Sequence, residues 1–161
     1  MKILICICTY RRNKSLIESL RNFNKILIPF NFNIKFLIVD NSINFGSFNL
    51  IKNFKKKFKY TIYQVSEKKR GIVNARNKCL KISKNINCDY IAFFDDDCVV
   101  DKNWFKNVFK VIKTIKADII TGPQIYLNKN NKNFDIRELF EKKNKMNVTR
   151  VVWAATNNVI F

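Results

Sequence analysis

Short apolar runs alternate with amphipathic stretches along this chain. Ile3-Leu4-Ile5-Cys6-Ile7-Cys8, Phe36-Leu37-Ile38-Val39 and Tyr90-Ile91-Ala92-Phe93-Phe94 are continuous apolar runs. Their length and lack of polar interruption predict strands buried on both faces. Tyr60 to Val65 predicts a further strand. Between the strands the period changes to that of helices. Leu16, Leu20, Phe23 and Leu27 form one stripe, with Ser15 and Glu18 spaced as a capping box and Pro29 as the stop. Phe48 to Lys57 predicts a second helix with a basic outer face. Ile72, Ala75, Cys79 and Ile82 mark a third; Trp104, Val108, Val111, Ile112 and Ile115 mark a fourth, with Asp101 as its cap. Asp118 to Ile125 predicts a strand broken by Gly122-Pro123. A polar insertion from Asn128 to Asn133, a short helix near Ile136 to Lys143, and apolar segments Val148 to Trp153 and Thr156 to Phe161 complete the chain. Strand–helix alternation over the first two thirds predicts an α/β domain: a mostly parallel sheet flanked by helices.

Composition narrows the picture. A chain of 161 residues, 47% hydrophobic, has enough apolar side chains for one domain with its own core. Its formal charge is +19 at pH 7. Such a charge attracts nucleotides, nucleic acid or an anionic membrane surface. Lys, Asn, Ile and Phe are abundant together, as A/T-rich codons favour, so most of that charge is expected to be solvated surface. The scarce arginines carry more information. Cys6, Cys8, Cys79, Cys88 and Cys98 form no C-x-x-C pair, and there is no histidine to complete a zinc site. Thiols in apolar stretches point to a reducing, cytoplasmic setting. No apolar run has the length of a membrane span.

The apolar run at residues 90–94 ends in Asp95-Asp96-Asp97. Three adjacent carboxylates at the rim of a core repel one another unless a cation holds them. Mg²⁺ or Mn²⁺, completed by phosphate oxygens, suits such a group. In an extended segment alternate side chains share a face, which pairs Asp95 with Asp97 and turns Asp96 away. The competing explanation is a polar turn ahead of the next helix, and on this segment alone the two weigh about equally. Other strand exits add to it. Thr9-Tyr10-Arg11, Asp40-Asn41-Ser42 and the segment from Gly71 to Asn77 all fall at the edge where parallel strands leave a sheet, where ligands of open α/β folds bind. Tyr10 offers a flat face to a base, Asp40 an acceptor for a base N–H, and Arg76 a fork for phosphate oxygens. Taken singly, Asp40-Asn41-Ser42 could be a turn, Arg76 a solvated helix residue, and Thr9-Tyr10-Arg11 a loop leading into the first helix.

The order of Ile5-Cys6-Ile7-Cys8-Thr9-Tyr10-Arg11-Arg12, Leu37-Ile38-Val39-Asp40-Asn41-Ser42, Gly71-Ile72-Val73-Asn74-Ala75-Arg76-Asn77 and Ile91-Ala92-Phe93-Phe94-Asp95-Asp96-Asp97 resembles the family 2 glycosyltransferases of the GT-A fold. The resemblance covers nearly the whole chain. It implies a Rossmann-like domain that binds a nucleotide sugar, with a UDP sugar expected, and transfers the sugar to a glycan or lipid-linked acceptor. It implies that Thr9, Tyr10 and Arg11 line the nucleotide pocket, that Asp40 reads the base, that Arg76 lies by the nucleotide, that Asp96 faces the ribose, and that Asp97 faces Mg²⁺ or Mn²⁺. Asp95 remains open between the metal and the nucleotide. The family's general base is expected beyond Phe161, since no acidic residue follows Glu141. Residues 1–161 are therefore expected to be a single donor-binding domain, short at its C-terminal side. The alternatives are an inactive donor-binding remnant or partner subunit and a basic nucleic-acid-binding module. The last is disfavoured, because the aromatics fall mainly at core positions. No specific nucleic acid is expected as partner, and the charge admits peripheral contact with the inner face of a membrane.

Overall fold

The computed structural model describes residues 1–44, 46–115, 117–122, 126–127, 133–134 and 158–161. Its elements in order are β1 (Lys2–Thr9), α1 (Asn13–Lys25), β2 (Asn33–Asp40), α2 (Ser47–Lys55), β3 (Thr61–Ser66), α3 (Ile72–Ser83), β4 (Tyr90–Asp95), α4 (Trp104–Thr114), β5 (Ile120–Thr121), β6 (Tyr126–Leu127), β7 (Asn133–Phe134) and β8 (Asn158–Ile160). Six strands form one sheet in the order β3-β2-β1-β4-β8-β5, and β6 pairs with β7 separately. The pairs β1–β2, β1–β4 and β2–β3 are parallel. β8 runs antiparallel between β4 and β5. The expected mostly parallel α/β sheet is thus observed, with its antiparallel part at one side.

Alternation along β1 divides the core. Ile3, Ile5 and Ile7 face one side with Leu16, Leu20 and Phe23 of α1, Ile51 of α2, and Phe105 and Val108 of α4. Leu4 and Cys6 face the other, against Ala75 and Cys79 of α3. Both faces are covered, which is why the central strands read as unbroken apolar runs. The first face is closed by edge-on aromatics: Phe23 stands 5.1 Å from Phe36 and 5.2 Å from Phe94 between ring centres.

Helix boundaries differ from the sequence expectation at α1, α2 and α4, and α2 runs Ser47–Lys55 instead of Phe48 to Lys57. α1 starts at Asn13, so Ser15 lies within the helix and no side chain caps it. Arg11 adopts φ +57°, and this turn begins the helix earlier than a capping box would. At the other end Ile26 is extended and buried while Leu27 is 84% exposed. The change of backbone from helical to extended moves the last apolar contact back by one residue. α4 starts at Trp104; Asp101 instead accepts the Asn103 N–H at 2.7 Å in the preceding turn. Phe105, outside the expected stripe, is fully buried. The expected helix near Ile136 to Lys143 and the segment Val148 to Trp153 lie outside the described residues, as does most of the Asn128 to Asn133 insertion.

Candidate functional site

Parallel pairing brings the exits of β1, β2 and β4 to one sheet edge. Thr9 lies opposite Asp40 across β1–β2, and Cys8 opposite Asp95 across β1–β4. The residues expected at these exits therefore lie along one edge of the sheet.

Asp95 is the last residue of β4, and the chain then turns; the Cys98 N–H donates to the Asp95 carbonyl at 3.3 Å. That turn corrects the extended-strand alternation. Asp96 and Asp97 act together, and Asp95 faces elsewhere. Thr9 Oγ1 donates to Asp96 Oδ2 at 2.7 Å. Arg12 Nη1 donates to Asp96 Oδ1 at 3.2 Å and to Asp97 Oδ2 at 2.7 Å, one nitrogen spanning two carboxylates. Asp95 instead takes a long contact from Arg76 Nη2, 3.5 Å. Asp96 is buried, whereas Arg12 and Asp97 are each 56% exposed at their side chains. Burial pushes the Asp95 and Asp96 carboxyls up from the ordinary carboxylate value; Arg76 pulls Asp95 back, the Thr9 hydrogen bond and then Arg12 pull Asp96 back, and Asp97 adds to the rise of both.

The exit of β2 is built differently. Asp40 is 1% exposed. Its Oδ1 accepts from the Ser42 N–H at 2.9 Å and the Ser42 hydroxyl at 2.6 Å. Its Oδ2 accepts from the Ser47 N–H at 3.0 Å and the Ser47 hydroxyl at 2.6 Å. Burial alone would raise this carboxyl, but these bonds outweigh it and hold it below the usual range. Asp40 thereby supplies the acceptor for the first N–H of α2, a helix without a cap of its own. A base N–H would have to replace one of the serine donors.

Next to it, Asn41 fixes the following loop. Its Nδ2 donates to the Glu67 and Lys69 carbonyls, both at 2.7 Å, and its Oδ1 accepts the Gly71 N–H at 2.8 Å. The loop so held carries Arg70, whose guanidinium lies 5.2 Å from the centre of the Tyr10 ring; that of Arg11 lies 5.3 Å from the same ring. Gly71 starts α3 at φ +123°, a conformation that side chains rarely adopt. α3 then presents Arg76 to Asp95, and one turn later Cys79, whose sulfur lies 3.8 Å from that of Cys8. Contact with Cys79 and burial push the Cys8 thiol far up, which keeps it protonated and inert.

Of the expected residues, Thr9, Asp96 and Asp97 form one hydrogen-bonded cluster and Arg76 and Asp95 a second pair. Tyr10 and Arg11 sit together beside Arg70. Arg12, Asn41 and Arg70 were given no individual role from sequence. Arg12 had a signal, as one of seven arginines directly after a buried strand, but only the φ +57° turn at Arg11 accompanies its direction toward the carboxylates.

A mixed sheet with a polar, charged edge at its parallel strand exits has the form of the open α/β folds, whose ligands bind at that edge. The model of the glycosyl transferase family 2 matches residues 4–159, and the chain belongs to that family. It is 29% identical over 123 residues to the succinoglycan biosynthesis protein ExoM of Rhizobium meliloti (strain 1021), across 76% of this chain and 38% of that protein. Among solved structures it is similar to S. aureus TarS 1-349 in complex with UDP-GlcNAc, at 21% identity and a TM-score of 0.57, over 74% of this chain and 33% of that one. It is similar also to the mannosyltransferase PcManGT from Pyrobaculum calidifontis in complex with GDP-Man and Mn²⁺, at 16% identity and a TM-score of 0.64, over 76% of this chain and 35% of that one. These likenesses show the GT-A fold. The chain spans well under half the length of each of these proteins.

Proposed function

We propose that this chain holds the donor of a sugar transfer, a UDP sugar, at the β1, β2 and β4 exits with Mg²⁺ or Mn²⁺ on Asp97, and serves transfer to a glycan or lipid-linked acceptor. The observation that carries the reading is the Asp96–Asp97 pair bridged by one guanidinium nitrogen at the ligand-binding edge of the sheet. Arg12 stands there as a cation between two hard oxygen donors, so the donor chemistry fits Mg²⁺ or Mn²⁺. Among the described residues no group of three or more acidic, His or Cys side chains could hold a metal unaided. Phosphate oxygens and water would complete the coordination. A bound ion would neutralise charge on the departing diphosphate. The TarS structure with UDP-GlcNAc and the PcManGT structure with GDP-Man and Mn²⁺ support this class of ligand.

The chain's own residues have distinct tasks in this reading. Thr9 fixes the rotamer of Asp96, which faces the ribose. Tyr10, with Arg11 and Arg70 beside its ring, takes the base. Asp40 shapes the base pocket by tying Ser42 to Ser47, and a direct bond to the base requires exchange of one serine donor. Arg76, with Asp95 as counter-charge, lies by the phosphates. Among the described residues no helix is long and apolar enough to cross a membrane. The basic surface suits a cytoplasmic protein that touches an anionic membrane face where lipid-linked acceptors reside.

Calorimetric titration with UDP and with GDP, each with and without Mn²⁺, tests the reading. UDP is expected to bind more tightly with Mn²⁺, and Asp97→Ala to abolish that gain. A metal that leaves affinity for both nucleotides unchanged removes it.

A further inference from the structure

Arg12 stands in the coordination space the proposed ion needs. Its Nη1 lies between one oxygen of Asp96 and one of Asp97. A divalent ion held by Asp97 beside Asp96 would stand close to the same guanidinium, and two cations repel at that distance. Among the described residues no second ion pair compensates Asp97. The Arg12 side chain is more than half exposed, so it can leave without disturbing the core. Its backbone is anchored independently: the Arg12 carbonyl accepts the Leu16 N–H at 3.0 Å at the start of α1. The side chain is therefore a movable charge on a fixed base.

We propose that Arg12 is a displaceable placeholder that keeps free metal off Asp97 and yields only when metal and nucleoside diphosphate arrive together. The inference rests on the donor-and-metal reading above. Metal alone would expel Arg12 from its two carboxylates and leave two cations in repulsion. A diphosphate changes that balance, because its oxygens accept the released guanidinium in fork geometry and also complete the ion's shell. Metal and nucleotide then reinforce each other's binding, and by linkage the reinforcement is mutual. Arg12 is a positioning residue in this scheme, and its signature is the coupling between two ligands.

The experiment is a Mn²⁺ titration of the full chain followed by electron paramagnetic resonance, first without nucleotide and then with saturating UDP. Wild type, Arg12→Gln and Arg12→Lys are compared. Arg12→Gln is expected to bind free Mn²⁺ about fivefold more tightly than wild type, a gain set by the weak energies of exposed pairs. Its gain from UDP should shrink. Arg12→Lys, which keeps the charge but not the fork, should bind free Mn²⁺ near wild type and gain less from UDP than wild type. Free Mn²⁺ bound equally or less tightly by Arg12→Gln overturns the placeholder while leaving the donor reading intact. If wild type shows no coupling between Mn²⁺ and UDP, both fall. Should Arg12→Gln not fold, nuclear magnetic resonance of the wild-type arginine side chains decides. The Arg12 signal, identified by its loss in Arg12→Lys, is expected to move with Mg²⁺ and UDP together and to stay in place with Mg²⁺ alone. A signal unmoved by the pair, or moved fully by Mg²⁺ alone, overturns the proposal.

Discussion

The exits of β2 and β4 begin alike and end as opposites. Each is a buried apolar strand that stops on an aspartate. At β2, Asp40 is enclosed and receives four hydrogen bonds from two serines. At β4, Asp95, Asp96 and Asp97 follow one another, and two arginines compensate them: Arg76 at Asp95, and Arg12 at Asp96 and Asp97. Neutral donors from the chain's own backbone and hydroxyls fill the first site and depress its carboxyl. Burial and mutual repulsion raise Asp95 and Asp96 at the second. The lesson is that a carboxylate's surroundings decide whether neutral donors or cations balance its charge. A carboxylate saturated by fixed donors stabilises its turn; one balanced by a side-chain cation is the candidate for ligand binding in the proposed function.

The sharpest way to break this comparison is to truncate one carboxylate at each exit. Asp40→Ala leaves buried serine and amide donors without partners and is expected to cost about 2–4 kcal/mol of stability in urea unfolding. Asp97→Ala, at an exposed position, is expected to stay within about 0.5 kcal/mol of wild type and to lose only the metal-dependent gain in UDP binding. Equal stability losses would erase the distinction.

A smaller effect sharpens the role of the loop that Asn41 holds. Gly71→Ala is expected to cost about 1–3 kcal/mol, because φ +123° strains any side chain. The added Cβ meets nothing nearer than Asn74 Nδ2 at 3.6 Å, so the loss measures backbone strain and not a clash. A loss under a few tenths of a kcal/mol would show that the loop relaxes.

Acidity separates the exits by sign. The folded pKa of Asp40 is depressed, so its stabilisation is present above the ordinary carboxylate value of 3.8 and is lost as pH falls through the lower folded value. Asp40→Asn should flatten that acid limb of the urea midpoint against pH. The folded pKa of Asp95 is raised, so between 3.8 and its folded value stability falls as pH rises. Asp95→Asn should therefore raise the urea midpoint slightly at pH 7, by less than Asp40→Asn lowers it. A midpoint lowered by Asp95→Asn would mean that the Arg76 pair outweighs burial and repulsion.

Much of this was legible in the chain. Unbroken apolar runs such as Ile3 to Cys8 specified doubly covered strands, because a strand buried on both faces tolerates polar side chains on neither. Helical stripes located α1, α3 and α4, although the φ +57° turn at Arg11 and the extended Ile26 moved the ends of α1. The polar exits Thr9, Asp40, Arg76 and Asp95 to Asp97 were visible as interruptions, and parallel pairing made their convergence predictable. Tertiary structure alone decided the partners. The turn after Asp95 set Asp96 beside Asp97 and gave Asp95 to Arg76. Ser47, seven residues away, filled Asp40. Arg12 reached two carboxylates more than eighty residues along the chain. Periodicity is a local property fixed by backbone geometry. The charge balance of a buried carboxylate depends on which donors the fold brings within about 3 Å, and sequence spacing does not encode that.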